Sequence, residues 1–355
     1  MASHGKSNIT MREIAEKARV AVTTVSSALN GTGRVGTKRT EKIRQIAMEL
    51  GYMPNTAARI LKSKKNNDMG LIICEKQQMI DGHGIFSGLI RHFMEECQRQ
   101  SLRMQVELFD SFRFPDRLPD VFCGLVGGVV IGGTPSKRML EYLAKHPEMP
   151  CVRFEEPGEY SVRLDAAEGV HMALQYLVAL GHRRIGMLGC SRSYPVHNLA
   201  WDGFEAAVTE FTLDCDPEIM LEMDEKSSLA FNYVQKAEET VERLLATPRR
   251  PPTALLIAGG PLTRSFICAA LKRGIRIPED ISILSCYPAT WEAQNFYPAL
   301  TAVEADLEEM VHVAFSILRD LMDGREVRKA QVFLSPRLFK RDTVLSLSNN
   351  DKSQR

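Results

Sequence analysis

Thr23, Thr24, Ser26 and Ser27 place four hydroxyls within five consecutive residues. Hydroxyls at that density can hydrogen-bond base edges and phosphate oxygens, but they carry no acid–base or redox chemistry. To reach a base they need a rigid, narrow carrier, and the flanking residues predict one. Thr10 and Glu13 have the T-x-x-E spacing of a capping box, which starts a helix. Met11, Ile14, Ala15 and Ala18 then recur at helical spacing and predict one buried face. A turn over Arg19–Ala21 leads to a second helix, Val22–Leu29, with Val25, Ala28 and Leu29 inward and the hydroxyls outward. A third helix follows, with Ile43, Ile46, Ala47 and Leu50 on its core side and Gly51 placed to end it. Two short helices joined by a tight turn, the second with a small polar outer face, suit insertion into a major groove.

Charge points the same way. Residues 1–65 carry 13 Lys/Arg against 4 Asp/Glu, a net +9, and the remainder carries 32 against 40, a net −8. A near-neutral chain with its positive charge gathered at one end implies a nucleic-acid-binding head on a body that does not bind it. The bland alternative for any charge run is a solvated face. The helix pattern favours DNA.

These residues resemble the DNA-binding headpiece of the LacI/GalR family of bacterial transcription regulators. The likeness is carried by Ile9-Thr10, Ile14-Ala15, Thr24-Val25-Ser26, Leu29-Asn30, Arg34-Val35, Leu50-Gly51-Tyr52, Pro54-Asn55 and Ala58-Arg59 with Leu61, at ungapped spacing. The resemblance implies DNA contacts from Thr10, Val22, Thr23, Thr24, Ser26, Ser27, Asn30, Asn55, Ala58, Arg59 and Leu61. Pro54 stops the third helix. Thr56–Leu61 can make only about one and a half turns, marginal alone because helix nucleation is costly. The resemblance implies a hinge helix that pairs with its dimer mate in the minor groove, with Leu61 as a wedge that kinks the duplex. The alternative for Leu61 is a linker leucine packed on the body. Where the family reads bases with two residues opening the second helix and an Arg after T-V-S, this chain has Val22, Thr23 and Ser27. Ser27 cannot make the forked contact of an Arg to guanine, so a different operator base pair is expected.

At 355 residues the chain exceeds one ordinary core. No run of about 18 apolar residues suggests a membrane span, and residues 1–8 lack the apolar core of a secretory signal. The eight cysteines (Cys74, Cys97, Cys123, Cys151, Cys190, Cys215, Cys268, Cys286) include no C-x-x-C pair. Reduced thiols, no metal site, no cofactor and a cytoplasmic location are the expectations.

From Met69 the pattern changes. Apolar strands are predicted at Gly70–Cys74, Met104–Phe109, Gly127–Ile131, Cys151–Phe154, Ile185–Leu188, Ile219–Glu222, Ala254–Ile257 and Ile281–Leu284. Helices are predicted at Phe86–Gln100, Gly169–Leu180, Ala200–Phe211, Phe231–Leu245 and Leu262–Arg273. This alternation argues for parallel sheets covered on both faces, with ligands beyond the carboxyl ends of the strands. The body resembles the periplasmic-binding-protein-like effector domain of the same family. The likeness rests on Ala179–Ile185, Trp201-Asp202-Gly203-Phe204, Gly274-Ile275, Ile277–Ser282, Leu300–Val303, Pro336–Leu338 and Arg341–Thr343.

The expected fold is an N-terminal all-α helix-turn-helix headpiece plus an α/β effector domain of two doubly wound parallel-sheet subdomains. Expected bounds are 1–54 for the headpiece, 55–67 for hinge and linker, 68–344 for the effector domain and 345–355 for a polar tail. Within the body, one subdomain would hold 68–164 plus 296–325, and the other 165–295 plus 326–344. His182 and Arg183 read as a solvated turn.

The resemblance places a small molecule in the cleft between the subdomains. Ala200 stands where many sugar-responsive relatives have an Arg, Gly259-Gly260 where they have Asn-Asp, and Tyr287 where they have an Asp. Losing these groups argues against an ordinary hexose. Asp110, Asp165, Ala200, Trp201, Gly260, Tyr287 and Trp291 are the candidate effector residues. They suggest an aromatic-lined cleft with few charges and a less polar ligand. Asp165 reads equally as a helix N-cap, and both tryptophans equally as core.

The expected function is a dimeric, small-molecule-controlled repressor on a pseudo-palindromic double-stranded operator. The alternative is a DNA-binding regulator that has lost small-molecule control. An enzyme is disfavoured, because G-x-S-x-G, G-x-x-x-x-G-K-[ST] and H-E-x-x-H are all absent. The tail Ser346–Arg355 lacks an a/d heptad, so a tetramerising coil is not expected.

Overall fold

The computed structural model describes residues 9–30, 35–50, 52, 66–75, 84–123, 126–215, 217–223, 233–246, 251–288 and 290–347. The chain divides into two units, Met1–Lys65 and Asn66–Arg355.

The described residues of the first unit form three helices, α1 (Met11–Ala18), α2 (Val22–Asn30) and α3 (Thr37–Glu49). The Glu13 carboxylate accepts from the Thr10 amide at 2.6 Å and from the Thr10 hydroxyl at 2.9 Å, so the helix begins where the T-x-x-E spacing predicts. Arg19 ends it in the left-handed region at φ 53°, and the Val20 amide closes back on the Ala15 carbonyl at 3.0 Å. Ile14, Ala15, Val25, Ala28, Ile43, Ile46 and Ala47 form the core, with Leu29, Val35, Leu50 and Tyr52 packed around it. Leu50 caps α3, and the expected terminator Gly51 lies outside the described residues.

Among its described residues the second unit contains two six-stranded sheets. The first joins β1 (Met69–Cys74), β2 (Met104–Phe109), β3 (Gly128–Gly133), β4 (Cys151–Phe154), β5 (Ser161–Leu164) and β11 (Gln331–Leu334) in the order β11-β5-β4-β3-β1-β2, all parallel. The second joins β6 (Ile185–Gly189), β7 (Met220–Glu222), β8 (Ala254–Ala258), β9 (Ser282–Cys286), β10 (Ala302–Glu304) and β12 (Arg337–Phe339) in the order β12-β10-β9-β8-β6-β7, with only β12 antiparallel. Every residue of β1, β6, β8 and β9 is buried, as continuous apolar runs covered on both faces require.

Helices α4 (Gly84–Arg99), α5 (Lys137–Lys145) and α11 (Leu307–Met322) belong to the first lobe. The second lobe has α6 (Ala166–Ala179), α7 (Pro195–Glu210), α8 (Tyr233–Ala246), α9 (Gly260–Lys272) and α10 (Thr290–Asn295).

The expected subdomain bounds need correction. Ala302 and Val303, assigned above to the first lobe, pair with Ser285 and Cys286 of the second sheet. Gln331–Leu334, assigned to the second lobe, pair with Ser161–Leu164 of the first. The chain therefore crosses between lobes after Leu164, after Glu304 and after Leu334. The expected tail also begins too early. The Leu345 amide donates to Ser282 Oγ at 2.9 Å, and the Leu347 amide to the Leu180 carbonyl at 2.8 Å. His182 is not a solvated turn residue. It is fully buried, with Nδ1 2.9 Å from Thr253 Oγ1 and Nε2 2.9 Å from the Leu345 carbonyl oxygen, so it ties the C-terminal segment to the sheet.

Candidate functional site

Two sites are built, one in each unit. In the first, the core interior fixes the outer face of α2. Val25 and Ala28 are buried, Val22 is 44% exposed, Thr23 is exposed, and Thr24, Ser26 and Ser27 are half-buried. The Thr24 and Val25 amides donate to the Ala21 carbonyl at 2.9 and 3.2 Å, which sets the first turn. Lys17 pairs with Glu49 at 3.6 Å and joins α1 to α3. The result is an outward surface of Val22, Thr23 and small hydroxyls on a short, braced helix, the shape that enters a major groove. Thr10 lies at the N-terminus of α1, engaged with Glu13. The Asn30 side chain and Asn55, Ala58, Arg59 and Leu61 lie outside the described residues.

The second site is a cleft of about 630 Å³ between the lobes of the body. Its walls lie at the carboxyl ends of parallel strands, where such sheets expose backbone and loops to ligands. Glu75 follows β1, Gly133 ends β3 and Thr134 follows it, Glu155 and Glu156 follow β4, Gly259 follows β8 and Tyr287 follows β9; all of them line the cleft. Tyr194 and His197 enter from the start of α7, and Tyr233 from the first residue of α8. Gly133 has φ 75°, and a Cβ there would stand 2.4 Å from the Cys74 carbonyl oxygen, so only glycine allows this wall.

Among the described residues the lining carries six carboxylates, Glu75, Glu155, Glu156, Glu304, Asp306 and Glu308, against two guanidiniums, Arg91 and Arg337. Arg91 pairs with Glu95 at 3.5 Å and Arg337 with Asp306 at 3.2 Å. Glu308 reaches Arg99 at 3.4 Å, and the buried Glu304 pairs with Arg341 at 2.6 Å. Glu155 Oε1 accepts from the Leu164 amide at 2.9 Å, yet burial pushes its carboxyl up to about 7. Burial also raises Glu156, whose Oε1 accepts from Thr134 Oγ1 at 3.3 Å. The Tyr287 hydroxyl donates to the Ala166 carbonyl at 2.7 Å and is driven far upward by burial.

Of the expected effector residues, Gly260 and Tyr287 line the cleft. Four do not. Asp110 accepts from the Phe112 and Arg113 amides at 3.2 and 2.8 Å and closes a local turn. Asp165 caps α6, accepting from the Glu168 amide at 2.9 Å. Ala200 is buried on α7, within the second lobe's core. Trp201 is 1% exposed in the same core, its Nε1–H donating to the Cys190 carbonyl at 3.0 Å. Nothing is described for the Trp291 side chain.

The expected scarcity of charge is also corrected, because Glu155 and Glu156 stand just past the carboxyl end of β4 and line the cleft. The rule that ligands sit past strand ends was the signal that could have found them. Among the described residues no group of three or more His, Cys, Asp or Glu could hold a metal ion, and no helix is long and apolar enough to cross a membrane. All eight cysteines are free thiols.

Comparison with known proteins gives the same two parts. Residues 10–55 match the family of bacterial regulatory proteins of the lacI type, and residues 174–344 match a periplasmic binding protein-like domain. The chain is 25% identical over 350 residues to the HTH-type transcriptional repressor PurR of Vibrio atlanticus (strain LGP32), covering 96% of this chain and 99% of that protein. It is 25% identical over 347 residues to the repressor of the same name from Haemophilus influenzae, covering 95% and 99%. Among solved structures, the Lac repressor dimer bound to operator and the anti-inducer ONPF superposes with a TM-score of 0.76 at 21% identity, over 96% of this chain and all of that one. The regulator CelR in complex with cellobiose gives 0.67 at 21% identity, over 95% and 100%. The chain belongs to the LacI family of transcriptional regulators, with a helix-turn-helix headpiece and a periplasmic-binding-protein-like body.

Proposed function

We propose that the protein is a repressor of transcription whose hold on operator DNA is controlled by a small molecule in the interlobe cleft. The cleft carries this reading. Its 630 Å³ is a volume suited to a metabolite, and its walls come from both lobes. A ligand that touches both lobes favours one angle between them, and only such differential binding can shift a two-state equilibrium. The crossovers after Leu164, Glu304 and Leu334 would carry that change through the body. The headpiece supports the other half of the reading, with a net +9 over residues 1–65 and a hydroxyl-rich recognition helix.

The protein would act as a homodimer on a pseudo-palindromic duplex, each headpiece reading one half-site, with residues 55–67 as the hinge. Asn55, Ala58, Arg59 and Leu61 would contact DNA from that hinge. The repressors from Vibrio and Haemophilus and the operator-bound Lac repressor dimer support this assignment by similarity. The missing Arg, Asn-Asp and Asp positions argue that the ligand is not an ordinary hexose.

Fluorescence anisotropy of the full chain on its selected operator, with a metabolite library added, tests the proposal. A compound that both stabilises the protein and shifts operator affinity at least about tenfold, within the usual range of allosteric coupling, supports it. Operator affinity that no stabilising compound changes would contradict it.

A further inference from the structure

We propose that the cleft takes a small organic cation, an ammonium or quaternary ammonium on an apolar body, held between the Glu155–Glu156 carboxylates and the rings of Tyr194, Tyr233, Tyr287 and Phe86. The proposal rests on the ligand-control reading above and names its ligand class.

Charge balance leads to it. Among the described residues the two guanidiniums of the lining are both paired, Arg91 with Glu95 and Arg337 with Asp306. Glu304 and Glu308 have Arg341 and Arg99. Glu155 and Glu156 have no Lys, Arg or His within ion-pair distance among the described residues. Arg163 and Arg153 act on them from farther off, and neither lines the cleft. A carboxylate pair in a half-buried wall is costly unless a cation approaches it. An anion would meet the opposite field.

The aromatic rings narrow the class. Tyrosine and phenylalanine faces attract cations, more so when water is excluded, and also cover an apolar body. A hydrated metal ion would gain little from four rings, whereas an alkylammonium uses both rings and carboxylates. The groups facing Glu155 are Arg163, Glu156, the Leu164 amide and Tyr287. Its carboxyl, raised to about 7 by burial, must ionise to pair with a cation, so affinity should rise as pH rises through neutrality.

The test is a thermal-shift series on the full chain with putrescine, agmatine, choline and tyramine. Each is set against its uncharged analogue at equal concentration and ionic strength, alongside hexoses and purine bases. The expected result is that at least one cation raises Tm while its neutral analogue does not. Glu155→Gln and Glu156→Gln, made separately and each checked for folding by circular dichroism, should each weaken that cation by about tenfold or more.

Cations that do no better than their neutral analogues would overturn the assignment. If an uncharged compound instead stabilises the protein and moves operator affinity, ligand control stands and only the cationic class fails. If nothing stabilises it and operator affinity never moves, both readings fail.

Discussion

At the scale of single residues, the two sites differ in how visible they were. The outer face of α2 followed directly from helical spacing, because Val25, Ala28 and Leu29 turn to the core and leave Val22 and Thr23 exposed. Ser27 lies on α2 outside the headpiece core, so Ser27→Arg should change the preferred base at one operator position in each half-site. A binding-site selection on the variant should show a discrimination of about 1–3 kcal/mol there; an unchanged site would mean that residue 27 does not read a base.

The cleft was less legible. Asp165 and Trp201 have side chains that could bind a ligand, and local geometry assigns them instead to a cap and a core. Glu155 was invisible because nothing in a Glu-Glu pair reveals burial. Its carboxyl titrates near 7 in the fold against an ordinary 4.5. The unfolded chain therefore loses this proton first as pH rises. The stability that Glu155 contributes is complete below about 4.5 and gone above about 7. Glu155→Gln should abolish that loss and leave the protein more stable than wild type at pH 8, by about 2 kcal/mol after solvent screening. His182, whose imidazole burial holds below its ordinary value, contributes with the opposite sign, so the wild-type-minus-variant difference is the quantity to measure by denaturation across pH 4–8. A difference that does not vary with pH would show that Glu155 is not raised.

At the scale of elements, continuously apolar strands were easy to read and short ones were not. Cys151–Phe154 and Met104–Phe109 were predicted to the residue, and α6 and α9 to within a few residues. Ser161–Leu164, Ala302–Glu304, Gln331–Leu334 and Arg337–Phe339 were not predicted as strands. Each has only three or four residues, and the last two are edge strands with polar, half-exposed faces, so no apolar run marks them. Missing them moved two crossovers to the wrong places, since sheet pairing rather than local pattern decides which lobe a short strand joins.

The end of α1 offers a direct test of local backbone reasoning. Arg19 at φ 53° is in a region that glycine enters without strain. Arg19→Gly should stabilise the three-helix unit by about 0.5–1 kcal/mol. Slower hydrogen exchange of the Met11–Ala18 amides in the full chain would show it, and faster exchange would mean that the arginine side chain contributes more than its backbone costs.

At the scale of the whole molecule, a basic N-terminal unit is joined to a body of opposite net charge. Separating the charges in this way confines the attraction for phosphate to the headpiece and keeps the body off the duplex. Operator affinity should therefore fall linearly in log–log form with salt, with a slope set by the Lys and Arg residues of positions 1–65 that meet phosphate. The central claim is that α2 delivers sequence-specific recognition from a two-fold symmetric assembly. Selection of binding sites from a random duplex library with the full chain, followed by sequencing, tests it most directly. The account predicts an enriched pseudo-palindrome whose half-sites both lose enrichment in a Thr23→Ala, Ser27→Ala double variant. Enrichment of a single asymmetric site, or of no sequence above background, would contradict it.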